Sequence, residues 1–149
     1  MTIVVRDGAF HPDDLAAAEA DGRFHWRDLA DLASDKDVPP GEVGLRLAND
    51  VEPDAIRPHF THVSAIAIAF PAFSDGRGFG IGRWLRRLGY IGRLRAEGHV
   101  IADQYPLALA CGFDEVAIDG DLAARQDASQ WRLPRQGLPS YQDRLQASA

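Results

Sequence analysis

Val63-Ser64-Ala65-Ile66-Ala67-Ile68-Ala69-Phe70-Pro71-Ala72-Phe73-Ser74-Asp75-Gly76-Arg77-Gly78-Phe79-Gly80 is the stretch on which the fold turns. Val63 to Phe70 alternates large with small residues and carries no charge. A strand apolar on both sides belongs inside a sheet covered by helices on both faces, so the run reads as a buried strand of a parallel sheet. Pro71 cannot continue the hydrogen-bond ladder and stops it. Asp75 to Gly80 then supplies a glycine-rich turn with a cation in it. Ile81 to Leu88 follows with helical spacing, and Trp84, Leu85 and Leu88 form its apolar stripe.

The same alternation extends in both directions. Gly89-Tyr90-Ile91-Gly92 is a turn, and Arg93 to Ala96 a third strand after Val43 to Leu47 and Val63 to Phe70. Ile101 to Cys111 reads as a helix with Pro106 in its first turn and Gly112 as its stop. Phe113 to Ile118 is a fourth strand, and Asp121 to Asp127 a last helix. Upstream, Glu52 to Pro58 is a short helix with an acidic first turn. Ser34 to Gly41 is a polar loop that separates an N-terminal cap from the core. Within the cap, residues 2–11 form a hairpin about Asp7-Gly8, and Pro12-Asp13-Asp14 opens a short helix. Arg23 to Trp26 is a short strand or a packed aromatic turn, and Asp28 to Ala33 one or two helical turns.

The expected architecture is therefore one α/β domain over residues 1–149, divided into a cap (1–41), a βα core (42–120) and a C-terminal helix and tail (121–149). Its centre is a small open parallel sheet of about four strands with flanking helices. An N-terminal β-hairpin and an irregular C-terminal tail complete it, with Trp131, Leu133 and Tyr141 anchoring the tail to the body or to a second subunit.

Bulk properties narrow the function. A chain of 149 residues with 26% charged and 46% hydrophobic residues can bury a single core. The net charge of −6 and pI of about 5.2 argue against nucleic acid or a membrane surface as general partners. Cys111 is the sole cysteine, so no internal disulfide forms and a reducing cytoplasm is the expected compartment. Arg77, Arg83, Arg86, Arg87, Arg93 and Arg95 crowd one segment. Arg86, Arg87 and Arg93 read as a solvated face, or else as part of a local anion site.

Parallel strands place their carboxyl ends on one edge, where ligands bind. That edge collects Asn49 and Asp50, then Ser74, Asp75, Gly76 and Arg77, then Arg95, Glu97 and His99, then Asp119. The candidate ligand-binding residues are Asp75, Gly76, Arg77, Gly78, Arg95 and Gln104. The glycines lack the lysine-serine or lysine-threonine pair of a phosphate loop. Their spacing also departs from a dinucleotide fingerprint, with Ile81 or Arg83 where the third glycine belongs. Three readings stay open. The strand before the glycines, the helix after them and Glu97 at the end of the next strand, about where an acidic ribose partner would sit, suit a nucleotide. In the second reading the backbone of Gly76 to Gly80 with Arg77 makes an anion pocket. In the third the glycines permit a tight turn and Arg77 pairs with Asp75 or a neighbouring carboxylate. Asp103 reads as a helix cap; the alternative is that Gln104 and Arg95 line the same mouth. Cys111 reads as a buried small side chain. His59 and His62 lie at the opposite edge, whereas His99 lies on the site edge. No Ser–His–Asp set, metal-ligand cluster, or flavin, haem or iron–sulfur motif stands out.

Asp75-Gly76-Arg77-Gly78-Phe79, Arg83 with Leu85-Arg86, Gly92 with Leu94-Arg95-Ala96, Gly98, Val100, Asp103-Gln104 and Cys111-Gly112-Phe113-Asp114 together resemble a bacterial family catalogued as a domain of unknown function. Its members are commonly described as oxidoreductases of sulfite reduction. Gly44-Leu45-Arg46-Leu47, Asn49-Asp50 and Asp7-Gly8 extend the resemblance to about residues 3–119. The chain departs from the family pattern at Gly80, where a small hydroxyl residue is usual, at Gly82, where alanine is usual, and at Ala110, where arginine often precedes the cysteine. The resemblance implies a setting in assimilatory sulfur metabolism beside sulfite reductase, without agreed catalytic residues or cofactor. The first expectation is thus an accessory or anion-binding protein holding a small anionic ligand, or a carboxylate-bearing cofactor of its partner. A nucleotide- or small-molecule-binding enzyme using the same glycine loop, with Asp75, Gln104 or His99 as polar catalytic groups, and a structural docking partner of a reductase, are the alternatives. A homodimer is the expected assembly.

Overall fold

A computed structural model describes residues 1–33 and 41–133. The expected polar loop at 34–40 and Tyr141 of the tail lie outside the described residues. The elements are β1 (Thr2–Arg6), β2 (Ala9–Pro12), α1 (Asp14–Ala20), β3 (Phe24–Arg27), α2 (Leu29–Ala33), β4 (Glu42–Leu47), β5 (Ala65–Phe70), α3 (Arg77–Arg87), β6 (Arg93–Gly98), α4 (Tyr105–Ala110), β7 (Glu115–Asp119) and α5 (Gly120–Arg125). Short 3-10 turns occupy Pro53–Ala55, Arg57–His59, Ala102–Gln104 and Ala128–Trp131. The helix expected over Glu52 to Pro58 is thus two such turns; Pro53 and Pro58 each stand in the opening turn of one and remove a backbone donor.

One seven-stranded sheet runs in the order β2-β1-β7-β6-β5-β4-β3. It is larger than the four strands read from the sequence. The hairpin is not a separate cap, because β1 pairs antiparallel with β7 and extends the main sheet. At the other border Phe24–Arg27 is a true strand, parallel to β4. From β3 to β7 the strands are parallel and neighbours in sequence are neighbours in space.

That monotonic order makes the cover of the two faces unequal. Right-handed crossovers that always step the same way put the helices that connect β3 through β7 on one face, and α1 lies across the other. Ile66 pairs in register with Leu94, and Ile68 with Ala96, which in turn pairs with Val116. These side chains enter one core with Phe70, Phe79, Ile81, Leu85, Ala108, Leu109, Phe113 and Ile118. The small residues of β5 face the other way. Ala65 there packs with Leu15 of α1 and Phe24 of β3. The large–small alternation of Val63 to Phe70 therefore records two unlike faces: a thick apolar layer on one side, and a thin one crossed by α1 on the other.

The second face carries a buried ion lattice. Arg95 is 0% exposed and Glu115 1%. Arg95 Nε donates to Glu115 Oε2 at 2.7 Å, and its two terminal nitrogens donate to Asp13 at 3.0 and 2.9 Å. Arg93 donates to both carboxylate oxygens of Asp14 and to Glu115, and Arg6 bridges the same two acids. Asp13 is also the N-cap of α1, accepting from the backbone N–H groups of Leu15 and Ala16. Burial alone would raise its pKa, but the Arg95 hydrogen bonds and charge, with the cap bonds, hold it below its ordinary 3.8. The lattice fixes where α1 crosses the sheet.

Trp131 anchors the segment after β7. It is 1% exposed, stacks edge-on against Tyr105 and donates its indole N–H to the Gln126 carbonyl. The Tyr105 hydroxyl accepts from Gly8 N–H at the hairpin turn, so α4, the hairpin and this segment close one corner of the core.

Candidate functional site

The glycines after β5 are helix, not loop. Gly76 is the N-cap of α3, and Gly78, Gly80 and Gly82 lie inside it. Gly78 and Gly82 are one turn apart and face the sheet. A Cβ on Gly78 would stand 2.6 Å from the Phe70 ring, and one on Gly82 2.4 Å from the Phe113 ring. Both glycines are there to let α3 lie close on two aromatic rings. The buried stripe of α3 is accordingly Gly78, Phe79, Ile81, Gly82, Leu85 and Arg86. Of the expected stripe Leu85 is fully buried, whereas Trp84 is exposed and Leu88 only partly covered. Arg86 is not on a solvated face either. It is buried, bonds the carbonyls of Tyr90, Gly92 and Gly112, and pairs with Asp114.

Asp75 sits at the start of α3. Its Oδ1 accepts from the backbone N–H of Arg77 at 3.3 Å and from Arg77 Nε at 3.0 Å. Its Oδ2 accepts from Arg77 Nη2 at 2.9 Å and from Asn49 Nδ2 at 2.8 Å. The Arg77 and Asn49 bonds hold the carboxyl well below the usual carboxylate range. The chain's own carboxylate thus lies at the helix start, and Arg77, 64% exposed, grips it through two nitrogens.

The other expected site residues go to different places. Arg95 is buried in the ion lattice on the α1 face, away from Arg77 at the head of a helix on the opposite face. Gln104 remains at the carboxyl edge. Its amide nitrogen donates to the Phe73 carbonyl at 2.8 Å and its oxygen accepts from Ile101 N–H at 3.1 Å. Gln104 therefore ties the segment after β5 to the segment after β6. A second glutamine repeats the device: Gln126 Oε1 accepts from Ala102 N–H at 2.6 Å, joining the end of α5 to the same segment. Gly98, at φ +116°, lets β6 pass the Phe70 carbonyl, where a Cβ would come within 2.6 Å. His99 N–H then bonds that carbonyl at 2.8 Å.

These ties frame a solvent-open cleft of about 410 Å³ at the carboxyl edge, lined by Phe73, His99, Ile101, Leu122, Arg125 and Gln126. Phe73 is 59% exposed. Among the described residues Arg125 has no carboxylate within ion-pairing distance, and the His99 ring has no hydrogen bond. Of these lining residues only His99 is on the expected edge list. Phe73, Arg125 and Gln126 are missing from it, although the rule that names the carboxyl edge, followed past Asp119 into the next helix, reaches Arg125. Among the described residues no group of three or more His, Cys, Asp or Glu side chains gathers to hold a metal ion, and no helix is long and apolar enough to cross a membrane.

Fold and cleft define a mostly parallel α/β domain, thickly covered on one face and thinly on the other, with an amphipathic cleft at the carboxyl ends of its strands. The family model described as "Bacterial protein of unknown function (DUF934)" matches residues 44–148, and the chain belongs to that family. The match starts within β4 and runs through the tail, whereas the resemblance read from the sequence began near residue 3 and faded after Asp119. No curated protein and no solved structure matches the chain.

Proposed function

We propose that the protein is an accessory, anion-binding component of bacterial sulfite or sulfate assimilation, with its ligand at the carboxyl edge of the sheet. The observation that supports this best is Arg125: an arginine without an acidic partner among the described residues, in a cleft where parallel sheets bind ligands. An unpaired guanidinium offers two parallel donors to a carboxylate, sulfonate or phosphate. Arg77 is the auxiliary cation of the same edge and contributes when a ligand competes with Asp75 for it. Arg95 acts as scaffold by fixing α1. The sulfur setting rests on the resemblance of the chain to proteins described as oxidoreductases of sulfite reduction.

Full-length protein is tested by thermal shift against sulfite, sulfate, phosphate, acetate and benzoate. The reading expects at least one anion to raise the melting temperature and Arg125→Ala to abolish that rise. No rise with any of them, or an undiminished rise in Arg125→Ala, refutes it.

A further inference from the structure

Resting on the reading of the cleft as an anion site, we infer that its ligand is an organic anion with a flat apolar body, and not an inorganic oxyanion. The lining itself makes the distinction. Phe73, Ile101 and Leu122 form an apolar wall, and Arg125 with His99 supplies the polar part. A tetrahedral oxyanion would fill a small fraction of about 410 Å³ and leave that wall wet. A body laid against the wall removes apolar surface from water, the larger source of affinity at such a site.

Phe73 is the most informative of the three. A phenylalanine more than half exposed is ordinarily a liability. Here the structure holds it in place: Pro71 ends the strand before it, its carbonyl is bonded by Gln104, and Asp75 two residues on is bonded by Asn49 and Arg77. An exposed ring on a backbone tied in place at the cleft offers a stacking surface, and it prefers a planar partner. Gln126 gives its oxygen to Ala102 N–H, so its amide nitrogen is the part left to face a ligand. Donors predominate around the head position, and among the described residues no carboxylate lines the cleft, which fits an anionic head and disfavours an ammonium.

Matched pairs of probes that share a head and differ in body decide the matter: p-toluenesulfonate against methanesulfonate, and phenylacetate against acetate, each titrated calorimetrically into the full chain. The aryl member of each pair is expected to bind about tenfold more tightly, the order that burying one ring supplies. Phe73→Ala should bring the aryl ligand down to its methyl partner while leaving the methyl partner unchanged. Arg125→Ala should weaken all of them. Because Phe73 is exposed, its replacement leaves the core intact, and an unchanged melting temperature checks this. Equal binding within each pair, or aryl binding indifferent to Phe73→Ala, overturns the inference and leaves an anion site standing. If no probe binds, or Arg125→Ala has no effect, the anion reading falls and this inference falls with it.

Discussion

Alanine replacements at Gly78, Gly80 and Gly82 separate what glycine does at three positions of one helix. A glycine inside a helix costs about 1 kcal/mol relative to alanine. At Gly80 nothing stands within 4 Å of a new Cβ, so Gly80→Ala should collect that gain and raise the melting temperature by roughly 2–4 °C for a chain of this size. At Gly82 the new Cβ would sit 2.4 and 2.6 Å from two atoms of the Phe113 ring. An ordinary carbon–carbon contact is about 3.5–4 Å, so α3 or Phe113 must give way by about 1 Å. Phe113 is fully buried and wedged against Phe70 and Phe79. Overpacking of this kind costs up to about 3 kcal/mol, and the propensity gain offsets about 1, leaving Gly82→Ala roughly 2 kcal/mol less stable. Gly78→Ala, 2.6 Å from Phe70, should behave like Gly82→Ala. Urea unfolding followed by circular dichroism measures all three. If Gly82→Ala stabilises as Gly80→Ala does, α3 does not rest on Phe113 and the account of the glycines is wrong.

Other expectations follow from the same contacts. Arg95→Ala would leave the largely covered Asp13 without its cation and Glu115 with only Arg93 and Arg6, and should cost about 3–5 kcal/mol, whereas Arg77→Ala, which breaks an exposed pair, should leave the melting temperature nearly unchanged. Asp13 and Asp14 titrate below their ordinary 3.8 when folded, so below that pH the folded state binds fewer protons than the unfolded. Their stabilisation is complete above the ordinary value and lost as pH falls through the folded values. Asp114, raised by burial against the opposing Arg86, changes in the opposite sense. Arg93→Gln should lower stability at pH 7 and flatten its decline between pH 4 and pH 3, read by urea unfolding at each pH. Removing residues 128–149 takes Trp131 from the core and should cost about 3–5 kcal/mol. Removing residues 134–149 keeps Trp131, so a search for a docked reductase through the tail should use that shorter cut.

The sequence made β5 legible because a chargeless run of six to eight residues ended by proline has few other readings. Its cover was not legible. Ala65, Ala67 and Ala69 look as apolar as Ile66 and Ile68, and only the strand order shows that the alanines face α1 and the ion lattice. Arg95 shows the same limit at a site residue. Its place in a central strand is visible, but that it sits mid-strand and not at the carboxyl edge, with Asp13 of the distant hairpin-to-helix turn as its partner, is reported by no local pattern. The glycines after Asp75 read as a loop because a single sequence reports helix propensity and not neighbours; the helix carries glycine at 78 and 82 because Phe70 and Phe113 need the space. Gln104 was found by its position on the edge, but its role as a tie to Phe73 emerges only from the geometry. Arg125 is not legible from the strand ends because it stands beyond β7, in the last turn of α5.

The central claim is that a ligand enters at the carboxyl-edge cleft through Arg125. Backbone amide shifts of ¹⁵N-labelled full-length protein, recorded while p-toluenesulfonate is added, test it most directly. The account predicts saturable shifts confined to the segments around Phe73, His99 to Gln104 and Leu122 to Gln126, and their loss in Arg125→Ala. Shifts centred instead on the α1 face, or around Glu52 to Asp54 and Trp84, would contradict it.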